Sequence, residues 1–256
     1  MMESTENEEG LPISFPACTL IDDMKSGQTA VLSGRAGTGK SAVLIQASLG
    51  YLFRKKEVLH VCAGQTVQHV RRGYNDMMDA LHEKFHWPVT TDSMRYRAER
   101  NRHIHSYKGH SISLPKLRKA MSFLKEHTQF HPSAMIIDGV KLNEIDKDTL
   151  KEFKNMAAEE NLVLWFSALS HRQNPDPPDG CLPTPLDDTE EVWDAVYMLK
   201  PNKEDIPLLC LRKNGVTLKQ PSRVNSANTE QSSREESADT KPRSLSIDPT
   251  TMLILD

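Results

Sequence analysis

Three glycines, a lysine and a serine lie close together in the run GRAGTGKS, at residues 34–41. Glycines let several backbone amides turn toward one anion, and the first turn of a following helix adds further free amides. In this pattern the lysine reaches the β- and γ-phosphates of a nucleotide, and the serine hydroxyl completes a magnesium shell. The spacing therefore predicts a phosphate-binding loop for a nucleoside triphosphate and Mg²⁺. The predicted phosphate contacts are Gly34, Arg35, Ala36, Gly37, Thr38, Gly39, Lys40 and Ser41.

A carboxylate ends an apolar run later in the chain, where AMIID finishes at Asp138. Such a run predicts a buried strand, and the carboxyl ends of such strands form the edge at which open α/β sheets bind ligands. A carboxylate at that edge can hold Mg²⁺ through a water. The alternative is that Asp138 only starts the turn at Gly139. We predict that Ser41 and Asp138 hold the metal.

Short apolar runs alternate with helical stretches through the middle of the chain. The runs TAVLSG, VLHVCAG, AMIIDGV and LVLWFSALS are typical of strands that are buried on both faces. The stretches between them are amphipathic, as helices that cover a parallel sheet are. The sequence predicts an α/β fold: a mostly parallel twisted sheet with helices on both faces. Two antiparallel or edge strands, DAVYMLK and IPLLCLRK, are expected at its end.

The polar composition indicates where the ordered domain lies. The chain has 256 residues, of which 38% are hydrophobic and 26% charged, and its mean hydropathy is -0.54. This is more polar than a compact globule needs, so part of the chain is not expected to pack. We predict a disordered N-terminus at 1–10, one domain at 11–219 and a disordered tail at 220–256. The tail ends in the apolar tip MLILD, which either docks in a groove of a protein partner or stays solvated.

Several classes of protein are disfavoured by the sequence. No apolar run approaches the roughly 20 residues that span a bilayer, and the acidic start MMESTENEEG lacks the features of a secretion signal. We therefore expect a protein without a membrane partner, cytoplasmic or, in a eukaryote, nuclear. The four cysteines form no CxxC pair, so neither a zinc site nor a disulfide framework is indicated. The net charge of -3 excludes a wholly basic nucleic-acid binder but not a local basic patch.

A basic segment covers residues 93–119. It contains eight lysines and arginines against one acid, Glu99, and two tyrosines that could stack on bases. One interpretation is an electrostatic footprint for single-stranded or double-stranded DNA. The other is a solvated helix and loop that balance acidic surfaces elsewhere. On the first interpretation the predicted contacts are Arg95, Arg97, Arg100 and Arg102.

With the glycine-rich loop and Asp138 placed, the rest of the core resembles the RecA-like ATPases. The likeness is greatest to the branch that contains the KaiC and RadA proteins and the DnaB-type replicative helicases. It covers roughly residues 12–218 and rests on five stretches in order. They are LIDDMKSGQTAVLSGRAGTGKS, VLHVCAGQTVQHVRRGY, SAMIIDGVKLNEI, LVLWFSALSHRQNP and EEVWDAVYMLKPNKEDIPLLCLRKNGV. The resemblance implies a RecA-like P-loop NTPase core that binds ATP and Mg²⁺, assembles as a homo- or hetero-oligomer, and acts in DNA replication, recombination or repair.

The resemblance also implies roles for individual residues. It assigns Lys40, Gln65 and Asp138 to catalysis, and Ser170 and His171 to the strand end where the family senses the γ-phosphate. Gln65 stands where family members that hydrolyse ATP usually carry a glutamate. An amide positions water but is a poor proton acceptor, so we expect slow hydrolysis.

The closing turn LRKNG departs from the family as well. Leu211 and Lys213 stand where the family has the lysine and arginine fingers that complete a neighbouring subunit's site, and a lysine lacks the planar fork of arginine. We predict an Mg²⁺-dependent ATP-binding protein that works as a slow ATPase switch. One alternative is a non-hydrolysing, nucleotide-responsive scaffold or adaptor that works through its C-terminal tail. Another is a P-loop small-molecule kinase, although no lid of clustered arginines follows the third strand.

Overall fold

The computed structural model describes residues 14–170, 181–202, 205–218 and 245–255. Six α-helices lie in these ranges, and none of them is long and apolar enough to cross a membrane. Short 3₁₀ turns cover Leu142–Glu144 and Asp187–Val192. In chain order the helices are α1 (Cys18–Asp22), α2 (Lys40–Phe53), α3 (Val67–Phe85), α4 (Thr91–Arg100), α5 (Leu114–Thr128) and α6 (Lys147–Glu159).

Ten strands of the described ranges form one sheet. In chain order they are β1 (Thr29–Gly34), β2 (Val58–Ala63), β3 (Arg102–Tyr107), β4 (Ala134–Asp138), β5 (Val163–Leu169), β6 (Ala195–Leu199), β7 (Ile206–Lys213), β8 (Val216–Thr217), β9 (Leu245–Ile247) and β10 (Ile254–Leu255). Across the sheet the order is β10-β9-β7-β6-β1-β5-β4-β2-β3, and β8 pairs with β7 outside this path.

The larger part of the sheet is parallel. The neighbours β6, β1, β5, β4, β2 and β3 pair in parallel, whereas β7 to β10 pair antiparallel beside them. Every residue of β1, β2 and β4 is buried, as expected of parallel strands that are covered on both faces. Because these strands point the same way, the residues that follow them meet at one edge of the sheet.

Two hydrophobic cores cover the two faces of the sheet. One core contains side chains of α1 to α4, and the other contains side chains of α5 and α6. In the second core Phe153 of α6 packs edge-on against Phe166 of β5, with ring centroids 5.4 Å apart. The predicted α/β class, with a mostly parallel sheet and helices on both faces, is confirmed.

Two regions differ from the sequence prediction of secondary structure. Of the two strands expected at the end of the sheet, β6 is parallel to β1, and β7 is antiparallel to β6. The basic segment forms most of α4, the edge strand β3 and the start of α5. The sequence analysis gave a solvated helix and loop as one interpretation of this segment, but it placed neither the bounds of α4 nor the strand β3, since a run rich in arginine and histidine shows no clear apolar stripe.

The prediction of a disordered tail at 220–256 is wrong for residues 245–255, which we call the C-terminal hairpin. In this hairpin β9 pairs with β7, and β10 pairs with β9. Leu253 and Ile254 are 0% and 1% exposed. The apolar tip is therefore part of this chain's own core. The disorder predicted for residues 1–10 and for the rest of the tail falls outside the described residues.

Asp248 begins the turn between β9 and β10. Its carboxylate accepts hydrogen bonds from the amides of Thr250 and Thr251, at 2.8 and 3.3 Å, which lowers the pKa of Asp248. Its own amide donates to the Leu253 carbonyl at 2.9 Å. The turn thus brings Leu253 back toward the core.

Leu253→Ala should lower the free energy of unfolding by about 2–4 kcal/mol, because it removes a fully buried side chain and leaves a cavity. Urea unfolding followed by circular dichroism measures the loss. Thr250→Ala, at an exposed site of the same turn, is the control and should change stability by less than about 0.5 kcal/mol. Unchanged stability in Leu253→Ala would show that the hairpin is not packed in the fold.

Candidate functional site

The glycine loop, residues 34–41, joins β1 to the N-terminus of α2. Gly37 and Gly39 have φ angles of 77° and 90°, in the left-handed region that other residues rarely adopt. A Cβ at Gly34 would lie 2.8 Å from Oγ1 of Thr38, so a side chain does not fit there either. The glycines therefore permit the tight path that places the first amides of α2 at the ligand edge of the sheet.

Lys40 is the first residue of α2, and its ammonium turns back over the glycine loop. Nζ donates to the carbonyl oxygens of Gly34 and Arg35, at 2.8 and 2.7 Å. Burial lowers the pKa of Lys40, and the Asp138 carboxylate acts in the opposite direction. The ammonium lies at the loop, where it can exchange these two carbonyls for phosphate oxygens.

Asp138 is the last residue of β4 and is 4% exposed. Among the described residues, its carboxylate has no hydrogen-bond or ion-pair partner. They also contain no cluster of three or more His, Cys, Asp or Glu side chains that could hold a metal. Mg²⁺ sites commonly use one or two carboxylates together with phosphate oxygens and water, so a larger cluster is not required. Asp138 lines the same cavity as Ser41, and a carboxylate and a hydroxyl at one cavity fit a magnesium ion held with a nucleotide.

A cavity of about 280 Å³ opens beside the glycine loop. Ser41, Gln65 and Asp138, which the sequence analysis assigned to the metal or to catalysis, all line it. The rest of its wall comes from α2, α3, His60 of β2, and Thr251 and Met252 of the C-terminal hairpin. The fold therefore brings together residues from four distant parts of the chain.

Gln65 lies between the end of β2 and the start of α3. Ser106 of β3 donates its hydroxyl to the Gln65 carbonyl. Thr66 caps α3 and accepts a hydrogen bond from the His69 amide at 3.2 Å. These contacts fix the backbone on both sides of Gln65, so the residue holds a defined place in the cavity wall. Its amide can orient a water there but cannot take a proton.

Ser170 follows β5 and lies beside the glycine loop. Its amide donates to the Gly34 carbonyl at 3.1 Å. Ser167, three residues earlier, accepts a hydrogen bond from the Gly139 amide at 3.0 Å. The end of β5 therefore contacts both the glycine loop and the turn after Asp138. His171, the second predicted sensor, lies outside the described residues.

The sequence analysis did not single out His60, which lines the same cavity. It is 1% exposed, and burial lowers its pKa to about 4. Nδ1 lies 3.0 Å from Oη of Tyr74, whose hydroxyl donates to Ser48 at 2.6 Å. Nε2 is buried without a hydrogen-bond partner in the described part of the chain. A polar residue inside the apolar strand VLHVCA is the signal that marks it in the sequence.

The sequence analysis did not single out Gln46 either, although it and Ser48 are the polar residues in a buried and mostly apolar stretch of α2. Gln46 is 1% exposed. Its Nε2 donates to the Met252 carbonyl at 2.8 Å, and its Oε1 accepts from the Ile254 amide at 3.0 Å. Sδ of Met252 lies 3.1 Å from the position of a Cβ on Gly39. The C-terminal hairpin therefore contacts both the glycine loop and the helix that follows it.

The structure does not assemble the predicted DNA contacts into one exposed surface. Arg102 is 7% exposed, and its guanidinium carbon lies 4.0 Å from the ring centroid of Tyr74, so its prediction as a DNA contact is wrong. Arg95 pairs with Asp79 and Asp92, at 2.5 and 3.1 Å.

The other two predicted DNA contacts, Arg97 and Arg100, belong to the last turn of α4. Arg100 is exposed and Arg97 is half-buried. The interpretation of the basic segment as a DNA-binding surface therefore depends mainly on the last turn of α4.

The positions that match the family's basic fingers make internal contacts. Leu211 is buried in the second core. Arg212 is 9% exposed and forms an ion pair with Glu190. Lys213 pairs with Asp23 at 3.0 Å. The two positions compared with the family's fingers, Leu211 and Lys213, thus carry no arginine, and Arg212 between them is paired within the chain.

Comparison with known proteins finds no match, either among protein-family models or among curated proteins.

The stability of the protein should depend on pH through His60. Between pH 7 and pH 5 the unfolded chain protonates this imidazole, whose ordinary pKa is about 6.5, whereas the folded protein keeps it neutral down to about pH 4. The unfolded state then binds more protons, so folding is destabilised by roughly 2 kcal/mol over this range. Urea unfolding at both pH values, in the protein and in His60→Gln, should show that the variant loses less stability. Equal losses would mean that His60 is not held neutral.

Proposed function

We propose that this protein binds ATP with Mg²⁺ and hydrolyses it slowly, so that the bound nucleotide acts as a switch. The observation that carries the proposal is the Asp138 carboxylate, which lacks a hydrogen-bonding partner in the described structure and lines the same cavity as Ser41. Lys40 and the amides of the glycine loop supply positive charge for the phosphates. Ser41 and Asp138 would hold the magnesium ion, which neutralises charge on the β- and γ-phosphate oxygens.

The proposal of slow hydrolysis is supported by Gln65. It is the residue of the β2–α3 connection that lines the cavity, and its amide cannot accept a proton from water. The buried Leu211 and the ion-paired Lys213 support the same conclusion, because neither offers a neighbouring subunit a free guanidinium.

We further propose a RecA-like P-loop NTPase core. The order of the motifs supports it, because the glycine loop follows β1, Asp138 ends β4, and Ser170 at the end of β5 contacts the loop. Assembly as a homo- or hetero-oligomer, and action on DNA in replication, recombination or repair, rest on the same resemblance. For DNA the observation in favour is the exposed Arg100, which lies in the same basic segment as the exposed Lys108, Lys116 and Lys119.

The C-terminal hairpin would respond to whether nucleotide is bound. Gln46 of α2 holds the backbone of Met252 and Ile254, and α2 begins at Lys40 in the glycine loop. Nucleotide binding that shifts the first turn of α2 would act directly on these hydrogen bonds. The hairpin therefore couples the phosphate site to the antiparallel end of the sheet.

A non-hydrolysing scaffold is the second candidate, and Gln65 is the observation that favours it. The sequence analysis expected such a scaffold to work through its C-terminal tail. A free apolar tip does not agree with the structure, because Leu253 and Ile254 are buried. A scaffold would instead signal by releasing the hairpin. Measurement of phosphate release distinguishes the two candidates, because the scaffold binds ATP without turnover.

Lys40→Ala should weaken ATP binding by about 10- to 100-fold, since each hydrogen bond to a charged group contributes about 1.5–3 kcal/mol. Titration of a fluorescent ATP analogue in the presence of Mg²⁺ measures the dissociation constant. Lys56→Ala removes an exposed lysine beyond the other end of α2 and should leave the affinity unchanged. Retained affinity in Lys40→Ala would remove the glycine loop from the nucleotide site.

Gln65→Glu should raise the rate of ATP hydrolysis by about 100-fold or more, because it restores a proton acceptor beside the attacking water. Single-turnover phosphate release, with and without single-stranded DNA, measures the change. Gln68→Glu makes the same substitution at an exposed position of α3 and is the control. If Gln65→Glu hydrolyses ATP no faster than Gln68→Glu, the end of β2 does not position the attacking water.

A further inference from the structure

Part of the cavity wall beside the glycine loop is apolar, and neither phosphates nor Mg²⁺ need such a wall. Phosphates are bound by amides and cations, and Mg²⁺ is bound by oxygen ligands. The residues that we call the apolar wall are Ala42 and Ile45 of α2, Val70, Gly73 and Met77 of α3, and Met252 of the C-terminal hairpin. In ligand pockets such a wall packs against the apolar body of a small molecule. The apolar wall therefore indicates a second ligand.

A glycine keeps the crevice between α2 and α3 open. Gly73 lies inside α3, where glycine is less favourable for a helix than alanine. A Cβ on Gly73 would lie 3.0 Å from Cδ1 of Ile45, and both residues line the cavity. A side chain at position 73 would therefore crowd the crevice at the apolar wall.

The charges that line the cavity select the sign of the ligand. Besides two histidines, its ionisable residues are Asp76 and Asp138, and no lysine or arginine of the described ranges lines it. Asp76 is exposed on α3, three residues after Gly73 and on the same face of the helix. Its carboxylate has no hydrogen-bond or ion-pair partner in the part of the chain that the structure describes. An apolar ligand with a positive charge is therefore favoured, and a negatively charged one is repelled.

The size of the cavity limits the ligand. Its volume is about 280 Å³, just below the range of roughly 300–1,000 Å³ that is typical of ligand pockets. Ser41 and Gln65 line the same cavity, so a bound nucleotide would take part of this volume. The remaining space suits a small molecule better than a peptide or a lipid.

We propose that the apolar wall and Asp76 form a second binding site, which takes a small primary amine with an apolar chain. The chain packs against Ile45, Val70 and Met77, and the ammonium group lies at the Asp76 carboxylate. This site goes beyond the proposed function and does not rest on it, because none of these residues belongs to the glycine loop. A competing occupant of the same wall is the adenosine part of bound ATP, and competition measurements distinguish it from the amine.

The first test is a titration of the full-length protein with n-alkylamines from propylamine to octylamine, followed by NMR. We expect the dissociation constant to fall about fourfold for each added CH₂ until the crevice is filled. Hexanoate should bind about fivefold or more weakly than hexylamine, because Asp76 repels its charge and attracts that of the amine. Affinity that does not change with chain length, or that is equal for hexanoate, would overturn the proposal.

Methionine methyl groups report where the amine binds. In protein labelled with ¹³C at these groups, hexylamine should shift the signals of Met77 and Met252, which line the cavity. Met77→Leu and Met252→Leu assign the two signals. Met78, the next residue of α3, and Met135, in the second core, are the controls, and their signals should stay in place. Shifts of the controls without one at Met77 would place the amine elsewhere and contradict the proposal.

Gly73→Ala tests the crevice. It should weaken hexylamine binding by about fourfold or more, since the added methyl group takes the place of about one CH₂ of the ligand. A variant that folds and binds hexylamine with unchanged affinity contradicts the proposal. If Gly73→Ala does not fold, the methionine signals and the variant at Asp76 decide.

Asp76→Asn tests the charge, through a comparison of hexylamine with n-hexanol. In the unchanged protein the amine should bind about two- to fivefold more tightly than the alcohol, and Asp76→Asn should remove this preference. Glu83→Gln, at another exposed carboxylate of α3, is the matched control and should retain it. A preference that persists in Asp76→Asn would overturn the proposal.

Competition with adenosine separates the amine site from the nucleotide site. We expect the dissociation constant for hexylamine to stay the same when adenosine is present. Displacement of hexylamine by adenosine would overturn the proposal and assign the apolar wall to the nucleoside of ATP. Failure of the protein to bind ATP removes the proposed function but leaves the amine site standing, whereas failure to bind hexylamine removes only the amine site.

Discussion

One carboxylate without a direct partner in the described structure, that of Asp138, lies at the edge of the sheet where the parallel strands end. Asp138 ends a strand that lies between β2 and β5 and is covered on both faces, and the residue lines the cavity beside the glycine loop. A cation bound in that cavity would compensate its charge. Lys40 acts on it electrostatically, yet its ammonium hydrogen-bonds to carbonyls of the glycine loop instead. The edge therefore combines a carboxylate that has no direct partner among the described residues with a loop whose lysine and amides suit an anion. A magnesium nucleotide would satisfy both.

The same helix that serves the glycine loop also holds the end of the chain. Gln46 is buried on α2, and its two polar groups would be costly there without partners. The backbone of Met252 and Ile254 provides those partners. The loop and the C-terminal hairpin are thus joined through less than two turns of one helix, from Lys40 to Gln46. A rigid connection of this length can transmit a small movement at the phosphates without a chain of intermediate side chains.

The sequence predicted those parts of the fold whose signals are local. The strands β1, β2, β4 and β5 are mostly apolar runs, and the glycine loop has a fixed spacing, so the strands and the loop could be recognised without knowledge of their neighbours. The hairpin could not, because Leu245 and Ile247 make only a short apolar alternation whose partner, β7, lies far along the chain. The edge strand β3 was missed for a similar reason. Its burial comes from α3 and α4, and those contacts do not appear in its own composition.

Two polar residues of the sheet, His60 and Arg102, contact the same aromatic side chain. Arg102 and His60 lie on neighbouring strands, and Tyr74 of α3 contacts both, with the guanidinium over its ring and the imidazole on its hydroxyl. The Arg102 guanidinium is buried and packs over the face of the Tyr74 ring. Arg102 therefore belongs to the interior of the protein and not to a DNA-binding surface. Its positive charge also opposes protonation of His60. An arginine that the sequence assigned to nucleic acid thereby helps to keep the His60 imidazole uncharged in the wall of the cavity.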